Sequence, residues 1–115
     1  MSEPNQRMRR VNSIVRAILA REVEMLDDAR LNLVSITGVD TAPNLRTATV
    51  YLSALDMSGI DEVVDTLNSN THRFQAVLGR EVRMKYTPVL TFEADPAVIS
   101  AERIERLLRD LGEEE

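Results

Sequence analysis

Two runs rich in β-branched residues, Leu31–Val39 (LNLVSITGV) and Leu45–Ser53 (LRTATVYLS), are separated only by Asp40-Thr41-Ala42-Pro43-Asn44. Both alternate with the period of a strand: in the second, Ala48, Val50 and Leu52 share one face, and Thr47, Thr49 and Tyr51 share the other. A turn-like connection this short joins antiparallel neighbours, because parallel strands need a crossover of roughly a dozen residues or more. The chain therefore holds a β-hairpin with one apolar face. A lone hairpin is at best marginally stable in water, so the remaining elements must cover that face.

The flanking segments supply the cover. Residues 7–26 read as an amphipathic helix, with Met8, Val11, Val15, Ile18, Leu19 and Leu26 on one stripe and Ile14 at its edge. After a break at Asp56-Met57-Ser58-Gly59, Ile60, Val63, Val64 and Leu67 repeat at helical spacing, with Asp61, Glu62 and Asp65 towards solvent. Asn68-Ser69-Asn70-Thr71 is poor helix material, since short polar side chains compete for backbone hydrogen bonds. A second helix follows through Phe74, Val77 and Leu78, with Gly79 as its expected C-cap. Val82, Met84 and Tyr86 alternate with Arg83, Lys85 and Thr87, which predicts a third strand passing Pro88 and continuing through Val89–Phe92. Asp95-Pro96 starts a last helix, Asp at the N-cap and Pro at N1, with Ile104, Leu107, Leu108 and Leu111 as its apolar face.

The order α–β–β–α–(kink)–α–β–α, with helices on one face of three strands, defines an α+β domain. The helix pair is long enough for a crossover, so a mixed sheet is expected. At 115 residues the chain is sized for one domain, without internal repeats or a low-complexity linker. No apolar run approaches the roughly 18 residues of a membrane span. Glu3, Glu22 and Glu24 argue against reading the first helix as a transit peptide, and no secretory apolar region is present. Zero cysteines exclude a disulfide framework and a thiolate zinc site, and fit a cytoplasmic location.

The net charge of −5 argues at first against a nucleic-acid partner, but its distribution does not. Residues 1–21 carry Arg7, Arg9, Arg10, Arg16 and Arg21 against Glu3 alone, a net +4. Residues 22–65 are −7, and residues 66–85 return to +3 through Arg73, Arg80, Arg83 and Lys85 against Glu81. The rest is −5 and ends in Glu113-Glu114-Glu115. Thirteen of the fourteen cations are arginine, whose planar fork suits phosphate. If the first helix packs beside the second basic island, Arg7, Arg9, Arg10, Arg16, Arg21, Arg73, Arg80, Arg83 and Lys85 form a candidate RNA-binding patch. In this reading Arg83 and Lys85 project from one face of the third strand. The aromatics do not interleave with the basic residues as a base-stacking surface would require, which points to recognition of backbone and shape.

Catalytic chemistry finds little support. His72, the only histidine, sits in the polar helix break without a neighbouring nucleophile. Asp27 with Asp28, and Asp61 with Glu62 and Asp65, read as a turn and as a first-turn cluster facing the helix dipole. The four glycines are scattered and form no phosphate loop. No enzyme, metal, cofactor or small-molecule substrate is expected.

Several short pieces, in order, carry a likeness. Arg10-Val11 followed by Val15 and Ile18 resembles the opening helix of the ribosome-binding factor A family. Asp28-x-Arg30-Leu31-x-x-Val34-x-Ile36-Thr37-x-Val39 resembles its first strand and lead-in, and Leu45-x-x-Ala48-x-Val50-Tyr51-x-Ser53 its second. Leu78-Gly79-Arg80, Arg83-Met84 and Pro88-x-Leu90-x-Phe92-x-x-Asp95 match its most recognisable stretch, and Arg103-Ile104-x-x-Leu107-Leu108 its terminal helix. At the kink, where that family commonly has Ala-x-Gly, this chain has Asn70-Thr71-His72.

The resemblance implies a type II KH-like domain: a three-stranded sheet with a kinked helix pair and an N-terminal helix packed on one face, plus a C-terminal helix. It would be laid out as a disordered stretch at 1–6, an RNA-binding domain at 7–95, a helix at 96–111 and an acidic tail at 112–115. The Gly-x-x-Gly clamp of other KH domains is absent, as in this family. The implied function is that of a non-catalytic, monomeric cytoplasmic assembly factor. It would bind the free small ribosomal subunit and assist late maturation and processing of its ribosomal RNA. The alternative is an α+β protein–protein interaction module without direct RNA contact.

Overall fold

The computed structural model describes residues 6–113, so the disordered stretch expected at 1–6 and the acidic tail expected at 112–115 lie outside the described residues except for Gln6, which begins the first helix, and Gly112 and Glu113, which end the last. Helix α1 spans Gln6–Met25, β1 Val34–Thr41, β2 Thr47–Ala54, α2 Ile60–Asn68, α3 Thr71–Glu81, β3 Val89–Ala94 and α4 Pro96–Glu113. The sheet order is β1-β2-β3, with β1 antiparallel to β2 and β3 parallel to β2. The hairpin and the mixed sheet therefore form as the spacing and the crossover predict.

Helices α1, α2 and α3 cover one face of the sheet. Val15 and Leu19 of α1, Leu67 of α2, Phe74 and Leu78 of α3, and Val50, Leu52 and Phe92 of the strands are all but inaccessible to solvent. Phe74 and Phe92 meet at 5.5 Å between centroids with a 58° tilt, which joins α3 to β3 at the centre of the core. Each fully buried Leu or Phe side chain contributes about 1.5–3 kcal/mol relative to exposure. The opposite face of the sheet is polar, lined by Thr47, Thr49, Tyr51, Thr91 and Glu93.

Several boundaries differ from the pattern. Ala29–Leu31 is a 3-10 turn rather than strand, capped by Asp28, whose carboxylate accepts the Arg30 N–H at 3.0 Å and which thereby buries Leu31. Leu33 then turns through φ 66°, and β1 continues past Val39 to Thr41, with a bulge between Ile36 and Gly38 that leaves Thr37 out of register. The turn shifts two residues along the chain to 42–46, so Leu45 and Arg46 belong to it and not to β2. Residues 82–88 form no strand. The ladder begins at Thr47–Val89, and beside the preceding residues runs the hairpin turn, which presents no extended edge. Arg83 and Lys85 accordingly lie on a loop and share no strand face. Gly79 is not a C-cap: α3 runs through it to Glu81, and among the described residues no glycine has positive φ. Its missing side chain instead lets the loop approach, since a Cβ there would stand 3.3 Å from Thr87 Oγ1.

At α4 the N-cap holds, with Asp95 accepting the Ala97 N–H at 2.9 Å and the Thr37 hydroxyl at 2.6 Å. Beyond Val98, which packs on the core, the helix leaves the domain. Its apolar face, Ile104, Leu107, Leu108 and Leu111, is 57–62% exposed and covers nothing within the fold.

Candidate nucleic-acid interface

Because β2 and β3 are parallel and start together, the segments that precede them lie side by side. The 42–46 turn is fixed first by its own hydrogen bonds: Ala42 N–H donates to the Thr47 carbonyl, and Leu45 N–H to the Ala42 carbonyl. Leu45 adopts φ 63°, a left-handed conformation rare for a branched side chain, and Asn44 Oδ1 accepts the Arg46 N–H at 3.0 Å. Val89 N–H then donates to the Arg46 carbonyl at 2.9 Å, fastening the turn to the loop before β3. Asn12 of α1 completes the end of the sheet by accepting the Thr41 N–H at 3.1 Å.

Between these three segments lies a groove of about 630 Å³. Arg7 of α1, Arg46 of the turn, and Arg83 and Lys85 of the loop place four cations along it, over an apolar floor of Met8, Val11, Leu45 and Met84. The Arg46 guanidinium carbon sits 4.2 Å from the centroid of the Tyr86 ring, and Lys85 Nζ lies 5.6 Å from it. Cations converging on a concave surface focus potential more strongly than the same charges spread over a convex one.

The structure sorts the sequence-derived cations into groups. Arg7, Arg83 and Lys85 meet in the groove. Arg9 and Arg16 lie on the other side of α1, along a cleft of about 250 Å³ beside Gly38 and Val39, where Arg16 Nε donates to the Ile36 carbonyl at 3.0 Å. Arg21 is committed elsewhere: it pairs with Glu81 of α3 and reaches the buried Glu22 at 3.4 Å. The Arg21 hydrogen bond holds the Glu81 carboxyl below its usual range. Arg10 is exposed on α1, and Arg73 and Arg80 are exposed at opposite ends of α3. The nine residues thus do not form one patch; a subset of them, joined by Arg46, does.

Arg46 escaped the sequence analysis because its charge falls within an acidic segment and its position within an apparent strand. The available signal was topological. A crossover that makes β2 and β3 parallel sets residue 46 beside residues 86–88.

The break expected at Asn70, Thr71 and His72 falls at Ser69 and Asn70, since α2 ends at Asn68 and α3 starts at Thr71, so Thr71 and His72 belong to the first turn of α3. The released carbonyls are taken up locally: Ser69 Oγ donates to Asp65, Asn70 Nδ2 to Thr66 at 2.7 Å, and Thr71 Oγ1 to Asn68. His72 is exposed. The break lies near the end of β3, away from the groove at its start, because Asn68 bonds Phe92 while Arg46 bonds Val89.

Among the described residues, no acidic side chain lines the groove. Arg30 is held by Asp28 at 2.6 Å and Glu62 at 2.9 Å, and the Arg30 guanidinium and backbone N–H lower the Asp28 carboxyl to about 2. On the open sheet face the Tyr51 hydroxyl is pushed up by burial and by Asp40, Glu93 and Asp95 around it. Asp61 and Glu62 occupy the first turn of α2. Among the described residues no group of three or more His, Cys, Asp or Glu side chains is placed to hold a metal ion, and no helix is long and apolar enough to cross a membrane.

The sequence profile of the family described as Ribosome-binding factor A matches residues 7–108. The ribosome-binding factor A of Rubrobacter xylanophilus is 41% identical over 110 residues, covering 95% of this chain and 90% of that protein. The crystal structure of ribosome-binding factor A from Thermus thermophilus superposes with a TM-score of 0.69 at 26% identity, covering 76% of this chain and 94% of that one. A homology model of the Thermus thermophilus ribosome binding factor A, fitted into the cryo-electron microscopy map of a 30S complex with that protein, superposes with a TM-score of 0.61 at 29% identity, over 74% of this chain and 91% of that one. The three-stranded sheet with its kinked helix pair is the KH-like arrangement of these proteins.

Proposed function

The chain belongs to the ribosome-binding factor A family, and from that premise we propose that it is a non-catalytic cytoplasmic assembly factor that binds the free small ribosomal subunit and assists late maturation and processing of its ribosomal RNA. The observation that carries the RNA contact is the groove. Arg7, Arg46, Arg83 and Lys85 converge there on a protein whose net charge is −5. Ribosomal RNA presents a dense array of phosphates, and the acidic residues elsewhere repel it, so the molecule docks by one end. The 30S complex of the Thermus thermophilus relative supports the choice of subunit.

Co-sedimentation of the tagged protein with ribosomal particles tests this reading. Wild-type protein is expected with free small subunits, and reversing Arg46, Arg83 and Lys85 to Glu together weakens that association. Raising salt also weakens it steeply, because each neutralised phosphate releases counterions. Unchanged sedimentation of the triple variant, or a flat salt response, overturns the assignment of the groove.

The exposed stripe on α4 favours a second reading, a protein-interaction module whose contact runs through Leu107 and Leu108. It predicts the opposite pattern: Leu107→Glu with Leu108→Glu abolishes particle binding, and the groove variant retains it.

A further inference from the structure

The groove holds more than phosphate binding requires. Phosphate contacts are electrostatic and need cations at a surface. Here the cations stand around an apolar floor of Met8, Val11, Leu45 and Met84, with an aromatic ring at the side. That combination, charge at the rim and apolar and aromatic surface within, is what a base outside its helical stack requires. The volume of about 630 Å³ lies within the range that encloses small organic ligands, roughly 300–1,000 Å³.

Resting on the RNA reading above, we propose that this groove takes one unpaired nucleotide of single-stranded RNA. Its base lies on the Tyr86 ring, and its flanking phosphates lie on Arg7, Arg83 and Lys85. In the unliganded protein a planar cation, the Arg46 guanidinium, already covers the ring at 4.2 Å. A base displaces it from that face, and the released guanidinium turns to a neighbouring phosphate. The Arg46 backbone is held in position from both sides. The Asn44 carboxamide and the Val89 amide fix the Arg46 backbone, and the left-handed Leu45 sets the direction in which it leaves the turn. Backbone strain of this kind persists where surrounding structure over-determines it, and it concentrates at ligand-binding sites. Shape recognition of folded RNA, the expectation from sequence, leaves both the apolar floor and the strained turn without a use.

Fluorescence anisotropy on the full chain tests the proposal, with a short labelled single-stranded oligoribonucleotide of mixed sequence and a fully paired RNA duplex of equal length. Tyr86→Leu removes the stacking ring and is expected to weaken single-strand binding about tenfold, with duplex binding unchanged and the salt slope preserved. Tyr86→Phe keeps the ring and binds like wild type, which separates stacking from a loss of fold; a thermal melt of each variant verifies the scaffold. Arg83→Glu with Lys85→Glu weakens both RNAs and flattens the salt dependence. If the charge reversal weakens both RNAs while Tyr86→Leu changes neither, the nucleotide site is overturned and the groove remains a phosphate surface. If neither RNA responds to the charge reversal, the nucleotide site and the RNA reading of the groove both fall.

Discussion

The side-chain amide of Asn68 closes a two-way hydrogen-bonded ring on the backbone of Phe92: its Oδ1 accepts the Phe92 N–H at 2.8 Å and its Nδ2 donates to the Phe92 carbonyl at 3.1 Å. β3 is an edge strand, and residues whose backbone groups point away from β2 would otherwise offer a template to another chain. Gln75 of α3 repeats the device one step earlier, accepting the Leu90 N–H at 3.2 Å. The polar run that ends α2 is thus also the group that seals the sheet.

Asn68→Ala removes both bonds and leaves two part-buried backbone groups unpaired, so it is expected to cost about 1–3 kcal/mol in urea denaturation. Asn68→Asp retains the acceptor but sets a carboxylate against the Phe92 carbonyl, and is no less damaging. Gln75→Ala, with one bond at stake, costs less than Asn68→Ala. A midpoint for Asn68→Ala indistinguishable from wild type contradicts the edge-sealing role.

Helix α4 is amphipathic in sequence yet contributes almost nothing to the domain beyond Val98. Leu107→Glu and Leu108→Glu are therefore expected to alter unfolding free energy by less than about 0.5 kcal/mol, as exposed substitutions do. Leu19→Ala, at a fully buried position of α1, costs about 2–5 kcal/mol in the same measurement. A comparable loss at Leu107 would place α4 against the core.

These cases show which parts of the fold local pattern carries. The hairpin, the break after Asn68 and the Asp95 cap depend on contacts within a few residues, and turn chemistry and periodicity report them. Residues 82–87 alternate as well as any strand, but a ladder needs a partner edge, and only the register of the whole sheet shows that the neighbouring segment is a turn. Glu22 sits in the middle of an apolar stripe because Arg21 beside it supplies a counter-charge, which hydropathy does not register. The same limit applies to the groove: Arg7, Arg83 and Lys85 were visible as charge, whereas Arg46 became part of the site only through the parallel pairing of β2 and β3.

Asp28 gives the protein an acid-sensitive contact. Its carboxyl ordinarily titrates at 3.8 and is lowered to about 2 by the Arg30 guanidinium and backbone N–H. A depressed carboxylate stabilises the folded state in full above its unfolded value and loses that contribution as pH falls through its folded one. Wild type should therefore exceed Asp28→Asn in stability at neutral pH, with the difference shrinking between pH 3.8 and about 2. Urea titrations across that interval measure it, and a difference that stays constant with pH would rule out the ion pair as its source.

Arg21 and Arg83 carry the same charge but are expected to separate stability from binding in opposite ways. Arg21 joins α1 to α3 through Glu81 and is the cation beside the buried Glu22. Arg21→Ala thus lowers the thermal midpoint while leaving particle association and its salt slope unchanged. The stability loss is largest where Glu81 is ionised and fades as pH falls below the ordinary carboxyl value of 4.5, because the pair depresses the folded-state pKa. Arg83 is exposed on the groove loop. Arg83→Ala leaves the thermal midpoint in place, weakens association and reduces the salt slope by about one released counterion. Measuring both quantities on both variants yields a crossed pattern only if the two arginines have these separate roles. If Arg21→Ala weakens association while the midpoint stays fixed, Arg21 contacts the particle directly, and the basic surface extends along α1 beyond the groove.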